Sequence, residues 1–382
     1  MFFLLNLNLN LATLSPLSAL QPLRFQADAA ALTRLYDSMA RDTETLGLDA
    51  ESIRSMWSFY HPVTEEEEEK EEEEANPRRR RRKTKPAAKR YSEFSPPLAP
   101  AAIRLLLFFL DGEESDSDPG VLPLRAAGDA AVEAVLAELE AIDRERESAE
   151  GENPIKNEND ESPFPSLASA FHVTPGRHMT VFQASHPASI VPDSTSSEVD
   201  DDGEEKEEEA KVEKDDGAPP LLLGAPPAGA LEREIAAARA TALAVGSPPR
   251  LVPHRVFLAR SGALLLTLTE EAAATEAAGG EDGNTKQTGS GRVAALRREA
   301  SVRMPRASRR QPAILHITLG RLLSSLPTAS AAARVSRAAE EAARPFLAEA
   351  REKKKVWIPA LSHVIEDTFA SVDGRSVLLP FS

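Results

Sequence analysis

Two short apolar segments of this chain each carry a histidine followed two residues later by a threonine. They are Arg177-His178-Met179-Thr180-Val181-Phe182 and Leu315-His316-Ile317-Thr318-Leu319. Side chains alternate between the faces of a strand, so His178 and Thr180 point one way while Met179 and Val181 point the other. His316 and Thr318 separate from Ile317 and Leu319 in the same manner. An imidazole titrates near neutrality and can take or give a proton. Two of them flanking a phosphodiester can act as general base toward an attacking water and general acid toward the leaving oxygen. Neighbouring hydroxyls can hold the non-bridging oxygens as charge redistributes. That chemistry requires no metal.

The other histidines have weaker settings. His172-Val173-Thr174 repeats the tripeptide six residues ahead of His178, but Pro175-Gly176 follows at once and cuts its strand short, so His178 is preferred. His186 precedes Pro187 at a strand end and reads as a capping or loop residue. His363 alternates with Leu361 and Ile365 and reads as ordinary packing. Arg177 adjoins His178, and Arg321 lies an odd interval from Thr318, so alternation turns both away from the His/Thr faces; either could still steer a phosphate from a rim. Trp57, Trp357 and Phe182 have the surface to stack a base, yet with aromatics at only 5% of the chain they read as core anchors.

Composition removes several other chemistries. The 382 residues include no cysteine, which excludes a thiol nucleophile, a disulfide framework and a cysteine-ligated metal site. Neither G-x-G-x-x-G nor G-x-x-x-x-G-K-[ST] occurs, so nothing supports a dinucleotide or Walker-type phosphate site. The net charge of −16 is concentrated in tracts: nine Glu and one Lys at 65–74, nine basic residues at 78–90, and twelve acids with three Lys at 198–216. The remainder is mildly acidic, which does not favour a duplex nucleic-acid surface. The basic run at 78–85 reads as part of a charge-balanced linker, because the preceding glutamates compete for any polyanion site.

These residues need elements to hold them. Periodic apolar positions predict a helical region at 28–60, through Leu32, Leu35, Met39, Leu46, Ile53 and Trp57. Ile103 to Leu110 reads as a buried strand, and Asp129 as the cap of a helix whose stripe is Val132, Leu136, Leu139 and Ile142. Strand character returns at 177–182. The order then repeats: a helix at 228–245 stopped by Gly246, a hairpin at 256–269 turning at Ser261-Gly262, a short helix at 292–300, and the strand at 314–319. A helix at 330–350 with a break at Pro345 and strands at 356–358 and 377–379 finish the chain. Strand, helix and histidine-bearing strand thus occur twice. This order fits an α+β fold of two pseudo-symmetric lobes, each an antiparallel sheet backed by helices, around a central cleft.

The chain divides accordingly. Residues 1–27 are apolar with no charged side chain before Arg24. Asn6, Asn8, Asn10, Pro16 and Pro22 argue against a membrane span there, leaving a candidate targeting segment and a cytoplasmic or organellar location. Residues 61–97 form a charged disordered linker, and 98–382 the bilobal domain. Its turn or loop segments near 112–122, 146–163, 192–218 and 275–290 are polar, and the last three read as disordered insertions. No stretch reaches the roughly 20 apolar residues of a membrane helix.

The stretches GRHMTVF (176–182) and LHITLGRLL (315–323) resemble the paired H-x-[ST]-x motifs of the 2H phosphoesterase superfamily, in particular plant and algal RNA ligase/cyclic nucleotide phosphodiesterase-like proteins. The likeness covers roughly residues 100–380. It implies metal-independent, cofactor-free hydrolysis of a cyclic phosphodiester to a phosphomonoester, the substrate being a 2′,3′-cyclic nucleotide, an RNA end or an ADP-ribose cyclic phosphate. His178 and His316 take the catalytic positions, Thr180 and Thr318 the phosphate-binding ones, and Val181 and Leu319 the apolar fourth motif positions. The family's base and acid roles can fall on either histidine. Two other classes remain beside this one: a nucleotide or RNA-end binding module with reduced catalysis on the same fold, and a scaffold whose charged tracts recruit a partner.

Overall fold

The computed structural model describes residues 29–57, 60–61, 89–90, 101–110, 120–149, 163–185, 226, 229–271, 291–308, 311–353, 356–357, 360–366 and 374–381. The expected targeting segment at 1–27, most of the linker, and the insertions at 192–218 and 275–290 lie outside them. The expected disorder of the linker is corrected at its ends: His61 with Tyr60 (β1, Tyr60–His61) pairs antiparallel with β2 (Lys89–Arg90), Tyr60 opposite Arg90 and His61 opposite Lys89, the backbone hydrogen bonds of each strand being met by the other.

The helices are α1 (Ala29–Leu46), α2 (Ala50–Arg54), α3 (Val121–Ala149), α4 (Ala230–Val245), α5 (Arg292–Arg303) and α6 (Ala329–Glu352). The longer strands are β3 (Ile103–Phe109), β5 (His178–Ser185), β6 (Arg250–Leu258), β7 (Ala263–Glu270), β8 (His316–Leu322), β10 (Ala360–Glu366) and β11 (Gly374–Pro380). The short strands β4 (Phe171–Val173) and β9 (Val356–Trp357) complete the set. They build a four-stranded sheet, β11-β10-β3-β5, and a five-stranded sheet, β4-β8-β7-β6-β9, antiparallel at every pairing. Helices and antiparallel sheets together make a mixed fold compatible with the α+β class.

Helices α3 and α6 pack along each other, α6 lies on β6, and α1 packs on α6 and β7. Helix α4 contacts α5, β10 and β11, and α5 reaches β5. One large apolar core joins these layers, from Tyr36 and Leu139 to Phe171, Phe182 and Phe257, all fully buried. Strands β5 and β8, which carry the two His/Thr pairs, belong to different sheets yet approach within 8 Å between Cα atoms.

Three local expectations are corrected. Asp129 does not cap a helix: α3 starts at Val121, with Pro123 in a first turn where a missing N–H breaks no helical bond. The same helix runs to Ala149, so 121–122 and 146–149 are helical rather than loop. Pro345 does not break α6. Ala343, Leu347 and Ala350, on either side of it, stay buried, and their packing outweighs the roughly 3 kcal/mol that an interior proline costs. Helix α6 is also held at its start by Thr328, whose hydroxyl accepts from Ala331 N at 3.0 Å.

Two glycines meet steric demands beside the site strands. Gly262 turns the β6–β7 hairpin at φ +79°, and a Cβ there would collide with the Leu322 carbonyl. Gly320, within β8, lies under the Phe171 ring of β4, and a Cβ there would collide with the ring and come 2.9 Å from the His172 carbonyl. Gly320→Ala therefore pushes β4 off β8. The expected loss is about 1–3 kcal/mol, read as a lower urea midpoint at unchanged slope; an unmoved midpoint contradicts this account of the glycine.

Candidate functional site

Burial along both motif strands alternates with the period that the sequence predicts. His178, Thr180, His316 and Thr318 are partly exposed, whereas Met179, Val181, Ile317 and Leu319 are buried at 3% exposure or less. The apolar residues anchor each strand in the core, which fixes the direction of the imidazole and hydroxyl between them.

Both strands carry a bulge at the same motif position. In β5, Leu107 faces Thr180 and Leu106 faces Phe182, so Val181 is the extra residue. In β8, Leu265 faces Thr318 and Leu264 faces Gly320, so Leu319 is the extra one. A bulge shifts side-chain phase by one residue and re-aims the side chains beyond it. Each bulged carbonyl has a donor from outside its ladder: Arg297 Nε donates to Val181 O at 3.0 Å, and Thr174 N donates to Leu319 O at 3.0 Å.

This shift corrects the reading of Arg321. Simple alternation turns it away from Thr318, but beyond the bulge it pairs with Ala263, and cross-strand partners share a face, so it returns to the side of His316 and Thr318. On the other flank it pairs with His172 of β4, whose ring is buried and lies 5.0 Å from the Tyr60 ring. The legible cue was Gly320 inside the motif, since a strand glycine often marks a bulge. Arg177 does turn away as expected and forms an ion pair with Asp129 of α3, beside Gly128, where a Cβ would sit 3.1 Å from its Nε.

The rings are held differently. His178 Nδ1 lies 3.0 Å from the Gly176 carbonyl, so an Nδ1–H donated there leaves Nε2 facing outward. His316 is fixed through its predecessor. The buried Tyr36 hydroxyl accepts from Leu315 N at 3.0 Å and reaches the Leu268 and Leu315 carbonyls at 2.9 and 3.1 Å, locking the entry to β8. Burial raises the Tyr36 phenol pKa well above its ordinary value. His316 Nδ1 is enclosed and makes no hydrogen bond, although the Ile314 backbone acts toward a higher pKa.

The two motif strands approach within 8 Å between Cα atoms, and the charges around them act on His316. Burial above all, then the neighbouring His178, pushes the His316 pKa down to about 4, with Arg297 and Arg321 acting in the same direction. His316 is therefore neutral at physiological pH, able to accept a proton. Arg297 is itself buried, and burial pulls its pKa down to about 10 against the opposing pull of Tyr36 and Glu270.

The remaining sequence candidates fall elsewhere. Trp57 is a core anchor, its Nε1 donating to Leu323 O at 2.6 Å, and Phe182 is buried. His363 is fully buried and its Nε2 donates to Glu234 at 2.8 Å, a polar link that alternation alone did not reveal. His186 and the Trp357 side chain lie outside the described residues. Among the described residues, no group of three or more His, Asp or Glu could hold a metal ion, and no helix is long and apolar enough to cross a membrane.

Comparison with protein-family models, curated proteins and solved structures finds no match to the chain.

Proposed function

We propose that the protein is a cyclic phosphodiesterase of the 2H phosphoesterase kind, opening a 2′,3′-cyclic or related cyclic phosphate to a phosphomonoester. The two sheets are read as its two pseudo-symmetric lobes, with the substrate between β5 and β8. The observation that carries this reading is the approach of β5 and β8 within 8 Å between Cα atoms, each strand bearing a His-x-Thr pair and bulged at the following residue.

In this scheme the water oxygen attacks phosphorus while neutral His316 takes its proton. The bond from phosphorus to the leaving ribose oxygen breaks, and that oxygen receives a proton from the Nε2 of protonated His178. The Gly176 carbonyl accepts Nδ1–H of His178 in either protonation state, so the ring need not reorient between steps. Thr180 and Thr318 donate to the non-bridging oxygens, and Arg321, on the same face, supplies a planar cation to the phosphate.

The test is incubation of the full chain with 2′,3′-cyclic nucleotides in excess EDTA from pH 3.5 to 8, with separation of the monoester products. A base must be deprotonated, so the acid limb of kcat/KM falls at about pH 4, where His316 titrates, and not at the ordinary histidine value of 6.5. Absence of turnover overturns the enzymatic reading. Binding of the cyclic nucleotide without turnover selects the binding module of reduced catalysis, which the enclosure of His316 Nδ1 also favours.

A further inference from the structure

Arg297 lies outside both motifs, on a helix whose sequence (RVAALRREASVR) reads as charged surface. It is nevertheless only 5% exposed. Its Nε is spent on the carbonyl of Val181, the bulged residue directly after Thr180, while its Nη2 is enclosed without a hydrogen-bond partner. Leaving a guanidinium nitrogen buried and unpaired costs free energy that burying an apolar side chain does not.

We infer that Arg297 is a positioning residue of the site, closing the β5 bulge so that Thr180 and His178 keep their aim and bringing a fixed positive charge to the back of the histidine pair. This inference rests on the proposed phosphodiesterase reading for its purpose, though not for its measurement. The charged or titratable groups that act on His316 are His178 from β5, Arg297 from α5 and Arg321 from β8 itself. Arg297 in turn faces Tyr36 of α1 and Glu270 of β7, whose carboxylate accepts from Val293 N at 3.1 Å and also from Arg292 N at the start of α5. Glu270 thereby anchors the helix from which Arg297 projects. A lysine could supply the charge, but as a compact point charge it lacks the fork that meets the bulged carbonyl sideways.

The two roles separate in two variants of the full chain. Arg297→Gln removes the cation, so the His316 ring signal in a proton–nitrogen NMR titration moves to a higher midpoint, by ~0.5 pH unit or more. Arg297→Lys keeps the cation and leaves that midpoint in place, while kcat falls roughly tenfold or more as the bulge loses its donor. If Arg297→Gln unfolds at acidic pH, Arg297→Lys, assayed at neutral pH, still reports the bulge. An unmoved His316 midpoint in folded Arg297→Gln, or wild-type kcat in Arg297→Lys, overturns the inference. A wild-type chain without turnover overturns the phosphodiesterase reading instead, and leaves the NMR result standing on its own.

Discussion

His316→Ala lowers kcat/KM toward 2′,3′-cyclic nucleotides by about 10²–10⁴-fold, the usual contribution of one general acid or base. The loss is expected in kcat more than in KM, because the neutral imidazole acts on the water proton only as the transition state forms. His178→Ala costs a similar factor by withholding the leaving-group proton. The double variant is expected to lose little more than either single one, since a base without an acid, or an acid without a base, no longer completes the step. Structure predicts one asymmetry between them. His178, with Nδ1 on a backbone carbonyl, is more readily rescued by added imidazole than His316, whose Nδ1 side is enclosed. Steady-state rates for the three variants, with and without imidazole, decide the matter; singles that retain wild-type rates would remove both histidines from the mechanism.

The largest expected effect on stability lies away from the site. Glu234 on α4 meets Arg104 of β3 through Nε at 2.9 and 3.0 Å to its two carboxylate oxygens, and His363 of β10 through Nε2 at 2.8 Å. All three are largely or fully buried. Glu234→Ala strands a guanidinium and an imidazole in the interior, so the unfolding free energy is expected to drop by about 3–5 kcal/mol, measured as a lower denaturant midpoint. Burial alone would raise the Glu234 pKa. The hydrogen bond from His363 and then the Arg104 contacts more than offset it, so the carboxyl titrates below its ordinary 4.5. A depressed carboxylate stabilises fully above its unfolded pKa, and that stability drains away as pH falls through the folded value. The gap between wild type and Glu234→Ala therefore narrows below about pH 4.5, and a gap of constant size down to pH 3 would contradict the assignment.

Much of this was written locally in the chain, and the rest was not. The His/Thr alternation could be read because Met179, Val181, Ile317 and Leu319 are apolar at the right interval, and the core selects that register. The bulges were hidden because Val181 and Leu319 are ordinary strand residues, and only Gly320 hinted at one of them. Arg297, Tyr36 and the Glu234–His363 link act across sequence distances at which a single chain gives no pairing signal: 116 residues from Arg297 to Val181 and 279 from Tyr36 to Leu315. The misplaced helix start at Asp129 and the expected break at Pro345 share a cause. Capping and breaking residues are local preferences, and the long contact between α3 and α6 overrides them.

Strand β5 ends its sheet, and its outward backbone groups would normally invite another chain to add a strand. The Gln311 side-chain amide occupies that margin as a peptide group would, accepting from Gln183 N at 2.9 Å and donating to Gln183 O at 3.0 Å, while Arg297 takes the Val181 carbonyl two residues earlier. Among the described residues, two side chains thus take the place of a neighbouring strand. The β5 margin beside the histidines is thereby guarded against strand addition by side chains.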